Sequence, residues 1–159
     1  KDEDSSRMSI LIQSFGFKYG LPPDSDIVMD VRFIPNPFYK REFRMLSGLD
    51  AEVSQYVRSF EETIIYMDQQ EKILLHTIPF YQREGKQRLV ISIGCTGGRH
   101  RSVAMAADLA ARLKPVGLPV ILIHRDIDKD PRENREDGAY EAPESESAGK
   151  EESHSSETH

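Results

Sequence analysis

Apolar residues concentrate in a few stretches of this chain, and polar, glycine-rich or proline-rich segments separate them. Residues 8–15, MSILIQSF, are rich in strong β-formers and predict a first strand. The loop 16–26 follows, punctuated by Gly16, Gly20, Pro22 and Pro23. Residues 27–33, IVMDVRF, predict a second strand, which IPNPFY (34–39) breaks. Residues 87–94, QRLVISIG, are almost continuously apolar, as expected of a strand at the sheet centre. Residues 118–126, LPVILIHRD, predict a last buried strand.

The helical periodicity lies between these runs. SGLD (47–50) reads as a turn, with Asp50 the capping acceptor for a short helix over AEVSQYVRS. A longer helix is predicted over about 61–78. Ile64, Met67, Leu74, Leu75 and Ile78 fall near three- and four-residue spacing, Glu71 interrupts them, and Pro79 should bend or end the helix. Residues 99–114 carry the clearest signal, with Val103, Ala106, Ala107, Ala110 and Leu113 on one face. Strands alternating with helices predict a small three-layer α/β sandwich, with a mostly parallel central sheet and helices on both faces. Ligands of such sheets bind beyond the carboxyl ends of the strands, here near DVRF, GCTGG and HRD.

Charge divides the chain. From Asp126 onward there are 12 Asp/Glu against 4 Lys/Arg, which more than accounts for the overall net charge of −6. This tail holds almost nothing apolar and is expected to be disordered over 127–159, as is the opening segment 1–7. The folded body is expected to span 8–126. Its single cysteine, Cys95, allows no internal disulfide and suits a reducing compartment. No run approaches membrane-spanning length and no signal-peptide pattern opens the chain, so the expected location is the cytoplasm, with no membrane partner. A chain that begins with Lys1 rather than Met is expected to be a piece of a longer protein.

The stretch GCTGGRHRS (94–102) follows the central strand and opens the clearest helix. Gly97 and Gly98 permit backbone angles that let successive amides face one concavity. The helix start adds its free N–H groups and the positive end of its dipole. Thr96 and Ser102 offer hydroxyls, Arg101 can hold two oxygens at once, and His100 lies beside them. A glycine-rich turn with its arginines in water would carry the same letters. Their combination after a buried strand favours an anion site. In DVRFIPNP, Asp30 and Arg32 share a face if the segment is extended. They either form an ion pair, or Asp30 accepts from a ligand while Arg32 and Asn36 place its far end. His124, at the end of the last strand, is a further candidate, whereas His76 is expected to be packed or solvated. A single cysteine and scattered histidines have no zinc-ligand spacing, so neither metal nor cofactor is expected.

SFGFKYGLP (14–22), DVRFIPNP, GLD (48–50) and IGCTGGRHRSV (93–103) together resemble the C-terminal domain of the RapZ family of RNase adapter proteins, over about residues 9–126. The resemblance implies a cytoplasmic bacterial regulator without catalysis in this domain. It implies sensing of a small phosphorylated metabolite, glucosamine 6-phosphate, together with self-association, binding of small regulatory RNA, and its presentation to an endoribonuclease. The motif positions Asp30, Arg32, Asn36, Thr96, Gly97, Gly98, His100 and Arg101 would form the sugar-phosphate pocket. Relatives of this family are usually labelled P-loop nucleotide-binding proteins, but no G-x-x-x-x-G-K-[ST] occurs here. The acidic C-terminal run also opposes a polyphosphate partner such as RNA.

Two rival classes remain. CTGGRHRS fits the C-x5-R-[ST] loop of cysteine-dependent phosphatases, in which Cys95 would attack phosphorus while the amides and Arg101 hold the oxygens. Gly94 stands where that family usually has His, and no marked general-acid loop is visible, although Asp30 or Asp126 could serve. In a pure scaffold, the loop would serve only packing or self-association.

Overall fold

A computed structural model describes residues 7–129 and Pro131. Four strands, β1 (Ser9–Gly16), β2 (Ile27–Asp30), β3 (Arg88–Cys95) and β4 (Val120–His124), form one sheet in the order β2-β3-β1-β4. Every pairing is parallel. The α-helices are α1 (Ala51–Arg58), α2 (Glu61–Arg83) and α3 (Arg101–Leu113). Because neighbouring strands are parallel, each connection must cross the sheet, and all four carboxyl ends fall on one edge. Gly16, Asp30, Cys95 and His124 close that edge.

Alternation along the strands separates two faces. Ile10, Ile12, Leu89, Ile91, Ile93 and Cys95 join Met105, Ala106 and Leu109 of α3 in the main core. On the other face Ser92 Oγ meets Ser25 Oγ at 2.6 Å, and a Cβ on Gly94 would lie 2.4 Å from the Phe15 ring and 2.6 Å from that of Phe17. The 17–26 crossover, with its single 3₁₀ turn Phe17–Tyr19, covers this face. The α/β class and parallel sheet are as expected, consistent with three layers.

Several local expectations change. β4 is an edge strand, and Ile121, Leu122 and Ile123 remain 38–45% exposed, because the apolar run has a strand on one side only. β2 ends at Asp30, after which Ile34 N–H bonds back to the Val31 carbonyl. The helix α2 passes through Pro79 to Arg83. Pro79 is exposed, so the carbonyl one turn earlier that loses its N–H partner can turn to water. Asp50 stands at the N-cap but makes no capping bond. Its Oδ2 accepts instead from Ser47 N–H at 2.9 Å, bracing the turn before the helix. The expected tails fall mostly outside the described residues. Ile127 and Lys129 do not, and both contact the body.

Candidate functional site

The site is organised by backbone contact between the end of β1 and the turn after β3. Gly98 has φ +79°, and a Cβ there would lie 2.6 Å from Gly16 N. A Cβ on Gly16 would lie 2.5 Å from the Gly97 carbonyl carbon. Side chains at these positions would separate the two strands' ends, so the glycines permit the close approach. The sulfur of Cys95 sits inside the turn. It accepts from Gly98 N–H at 3.3 Å and Ser102 N–H at 3.4 Å, while the thiol donates to Ser102 Oγ at 3.2 Å. Both Cys95 and Ser102 are buried.

Three successive basic residues then turn inward onto backbone carbonyls. Arg99 donates to Leu46, Met45 and Ile127 at 2.9, 2.7 and 2.6 Å. His100 is 2% exposed and bonds the Phe43 carbonyl through Nε2 at 3.0 Å. Burial, opposed by that bond and reinforced by the charges of Arg99 and Arg101, pushes the His100 imidazole down to about 4. It is therefore neutral at pH 7 and donates Nε2–H to the carbonyl. Arg101 is also 2% exposed; Nη1 donates to the carbonyls of Arg32 and Ile34 at 2.9 and 2.8 Å, and Nη2 to Thr96 Oγ1 at 3.4 Å. Its guanidinium therefore clamps the DVRFIPN segment onto the glycine loop.

The exposed functionality forms the rim. Asp30 and Arg32 make a bidentate pair at 3.0 and 2.7 Å, each side chain about half exposed. That bond, with help from the Arg32 N–H and the charge of Arg101, holds the Asp30 carboxyl below its usual value against the opposing effect of burial. The Arg32 guanidinium lies 3.9 Å from the Phe17 ring centroid. Phe33 packs edge-on against Tyr66 at 5.0 Å, and the Tyr66 hydroxyl is pushed up by burial and then by Asp30. Thr96 is half-buried between Arg101 and the rim. Asn36 Oδ1 accepts from Phe38 N–H at 3.1 Å, capping a 3₁₀ turn with its carbonyl oxygen and leaving its amide N–H groups out of that bond.

Thus Asp30, Arg32, Thr96, Gly97, Gly98 and Arg101 meet at one edge, with His100 and Ser102 beneath them. His124 lies elsewhere on that edge, bonded through Nδ1 to Ser14 Oγ at 2.8 Å. β4 is three strand spacings from β2, about 14 Å. Sequence reasoning missed Phe17, whose ring supports Arg32, and the anchoring role of Arg99. It treated Asp126 only as a spare acid. Asp126 is 0% exposed, accepts from Gly16 N–H at 2.8 Å, and pairs with Arg125 and Lys129 at 2.9 Å each. Charges flanking Asp126 on both sides were the available signal.

The chain is a small parallel α/β domain in which β3 runs into a glycine turn and a helix N-terminus, with basic and acidic groups at the strand ends. The family comparison is more specific: the RapZ C-terminal domain matches residues 8–128, and the chain belongs to that family. It is 50% identical over 125 residues to a nucleotide-binding protein of Clostridium acetobutylicum, covering 79% of this chain and 42% of the relative. It is 51% identical over 129 residues to one of Carboxydothermus hydrogenoformans, covering 81% and 45%. A Clostridium botulinum nucleotide-binding protein is 51% identical over 130 residues, covering 82% and 44%. The chain thus spans under half the length of these relatives. Among the described residues, no helix is long and apolar enough to cross a membrane.

Proposed function

We propose that this is a non-catalytic regulatory binding domain that senses a phosphorylated amino sugar of the glucosamine 6-phosphate kind and serves as an adapter in RNA or amino-sugar regulation. The supporting observation is the convergence, at one sheet edge, of the Thr96–Gly98 turn, the start of α3, buried Arg101 and the exposed Asp30–Arg32 pair. In this reading the phosphoryl group lies over the turn. Thr96 and Arg32 donate to it, and the Arg101 charge below raises the local potential without leaving its carbonyl partners. Asp30, anionic at neutral pH, takes the ammonium and hydroxyl end of the sugar. Phe17 and Phe33 supply apolar walls. The adapter role, including an RNA or endoribonuclease partner and self-association, rests on family membership.

The test compares glucosamine 6-phosphate with glucose 6-phosphate on two rim variants. Thr96→Val should weaken both ligands. Asp30→Asn should weaken the amino sugar selectively, removing most of the preference for it. Unchanged selectivity in Asp30→Asn would remove the sugar-recognition half of the proposal. An aryl phosphate belongs in the same series, because turnover lost in Cys95→Ser would overturn the non-catalytic reading. ATP and GTP test whether the relatives' nucleotide label applies to this domain.

A further inference from the structure

The outer edge of β4 is bare among the described residues, and it is self-complementary. Ile10, Ile12 and Ser14 of β1 stand in register with Val120, Leu122 and His124. Ile10 N–H donates to the Pro119 carbonyl at 2.8 Å, and Arg125 N–H to the Ser14 carbonyl at 3.0 Å. Residues 119, 121, 123 and 125 therefore turn their backbone groups towards β1. The intervening residues of a strand turn theirs the other way, so Val120, Leu122 and His124 present N–H and C=O outward, where the sheet order has no further strand. The side chains divide by face. Val120 and Leu122 stand on the α3 side with the core residues Ile10 and Ile12. Ile121 and Ile123 stand on the opposite face and are 40% and 45% exposed. Sheet edges are commonly guarded by lysine, proline or a bulge. β4 has no such guard: its register is unbroken, and no Lys, Arg, Asp or Glu occurs from Gly117 to His124. Pro119 turns its ring nitrogen towards β1 and leaves the outer side open. Burial pushes the His124 imidazole below its ordinary value, so it adds no charge at neutral pH.

Ile121, Leu122 and Ile123 read the same in both directions. A two-fold axis through Leu122, normal to the sheet, sets a second β4 antiparallel to the first. Leu122 then faces Leu122, Val120 faces His124, and Ile121 faces Ile123. All the outward residues fall in hydrogen-bonded pairs, so each exposed N–H and C=O finds a partner. The isoleucines of the two copies pack as cross-strand pairs on one face, and no like charges meet along the strand. We infer that the β4 edge is a self-association surface, at which a second copy of this chain pairs antiparallel about Leu122 and joins the two four-stranded sheets into one. This makes definite the self-association that the proposed function takes from family membership.

Sedimentation and amide hydrogen exchange of the whole chain, over a wide range of concentration, test this. Dimers should form as concentration rises. The Val120, Leu122 and His124 amides should gain protection in step, whereas those of Ile121 and Ile123, which face β1, should be protected throughout. Leu122→Lys sets two ammonium groups opposite each other at a half-exposed position, and should weaken the dimer at least tenfold with an unchanged circular dichroism spectrum. Ile121→Cys with Ile123→Cys places thiols in facing non-hydrogen-bonded positions, within disulfide reach, so oxidation should trap a covalent dimer; the native Cys95 is buried and stays out of it. A dimer indifferent to Leu122→Lys would overturn the inference while leaving self-association elsewhere on the surface. Protection of Leu122 independent of concentration would mean that a segment of the same chain covers the edge, and would also overturn it. A chain monomeric at every concentration would remove both the surface and the self-association. Sugar-phosphate binding is read separately, because Leu122→Lys should leave it unchanged.

Discussion

Arg101 is the residue most easily assigned to ligand alone, and its geometry predicts a large structural effect. Its two short bonds run from a cation to the carbonyls of Arg32 and Ile34, at 2.9 and 2.8 Å. Hydrogen bonds of this charge-assisted kind contribute about 1.5–3 kcal/mol each. In Arg101→Ala both acceptors lose their donor. The Arg32 carbonyl belongs to an exposed residue and can recover water, whereas Ile34 is 1% exposed. The expected loss is therefore about 3–4 kcal/mol, against about 0.5 kcal/mol for an arginine merely facing solvent. Urea unfolding followed by circular dichroism measures it directly, and a domain of ordinary stability would survive the change. Arg101→Met retains an apolar stem and separates the lost bonds from the lost volume; it should recover less than half of the deficit. Arg101→Lys, with one compact charge in place of the planar fork, should fall between wild type and Ala. A loss below about 1 kcal/mol in Arg101→Ala would show that the clamp does not hold the DVRFIPN segment, and would refute the reasoning.

Other predictions follow from the same edge. Gly98→Ala should destabilise by more than about 2 kcal/mol, because φ is positive and the new Cβ would lie 2.6 Å from Gly16 N; a smaller loss on urea unfolding would mean the turn relaxes easily. The native His100 imidazole, near 4, lies below its ordinary 6.5, so the unfolded chain binds more protons between these values. Its contribution is complete above pH 6.5 and is lost as pH falls towards 4, about 3 kcal/mol in all; His100→Gln should flatten that slope in urea titrations at stepped pH. Asp126 is held below its usual value because Arg125, Gly16 N–H and Lys129 together outweigh the opposing effect of burial. Its contribution is present above the unfolded carboxylate value and disappears at lower pH, so Asp126→Asn should reduce the acid-side loss of stability while lowering stability at neutrality.

The parts of this protein that were legible from sequence are those in which one residue's chemistry decides the local structure. The run from Leu89 to Ile93 has no polar interruption except Ser92, and it forms the central strand. Gly98 marks the turn after it, because a side chain there would meet the Gly16 backbone. The Asp30–Arg32 pairing was one of two readings, and it forms although the strand has already ended. What sequence did not convey was direction. In RHR, Arg101 with His100 beside it reads as a contact for a ligand, yet both, and Arg99 with them, turn to carbonyls of segments 32–34, 43–46 and 127. That choice is set by tertiary contacts more than fifty residues apart in places, which periodicity does not register. VILIH had the composition of a buried strand, and only the strand order makes it an edge. Asp50 had the right position for a cap and was claimed by Ser47, a competition between two backbone donors that composition alone does not decide.

The central claim is that the rim above Arg101 receives the phosphoryl group of an amino sugar. Calorimetric titration of the domain with glucosamine 6-phosphate, glucosamine and inorganic phosphate, beside Arg32→Ala, tests it most directly. Arg32 is exposed, so its removal should not unfold the domain and any loss of heat reports on binding. The account predicts saturable binding of the sugar phosphate, weaker binding of phosphate, no measurable binding of glucosamine, and at least a tenfold loss for the sugar phosphate in Arg32→Ala. Absence of binding by all three, or sugar-phosphate binding indifferent to Arg32, would contradict it.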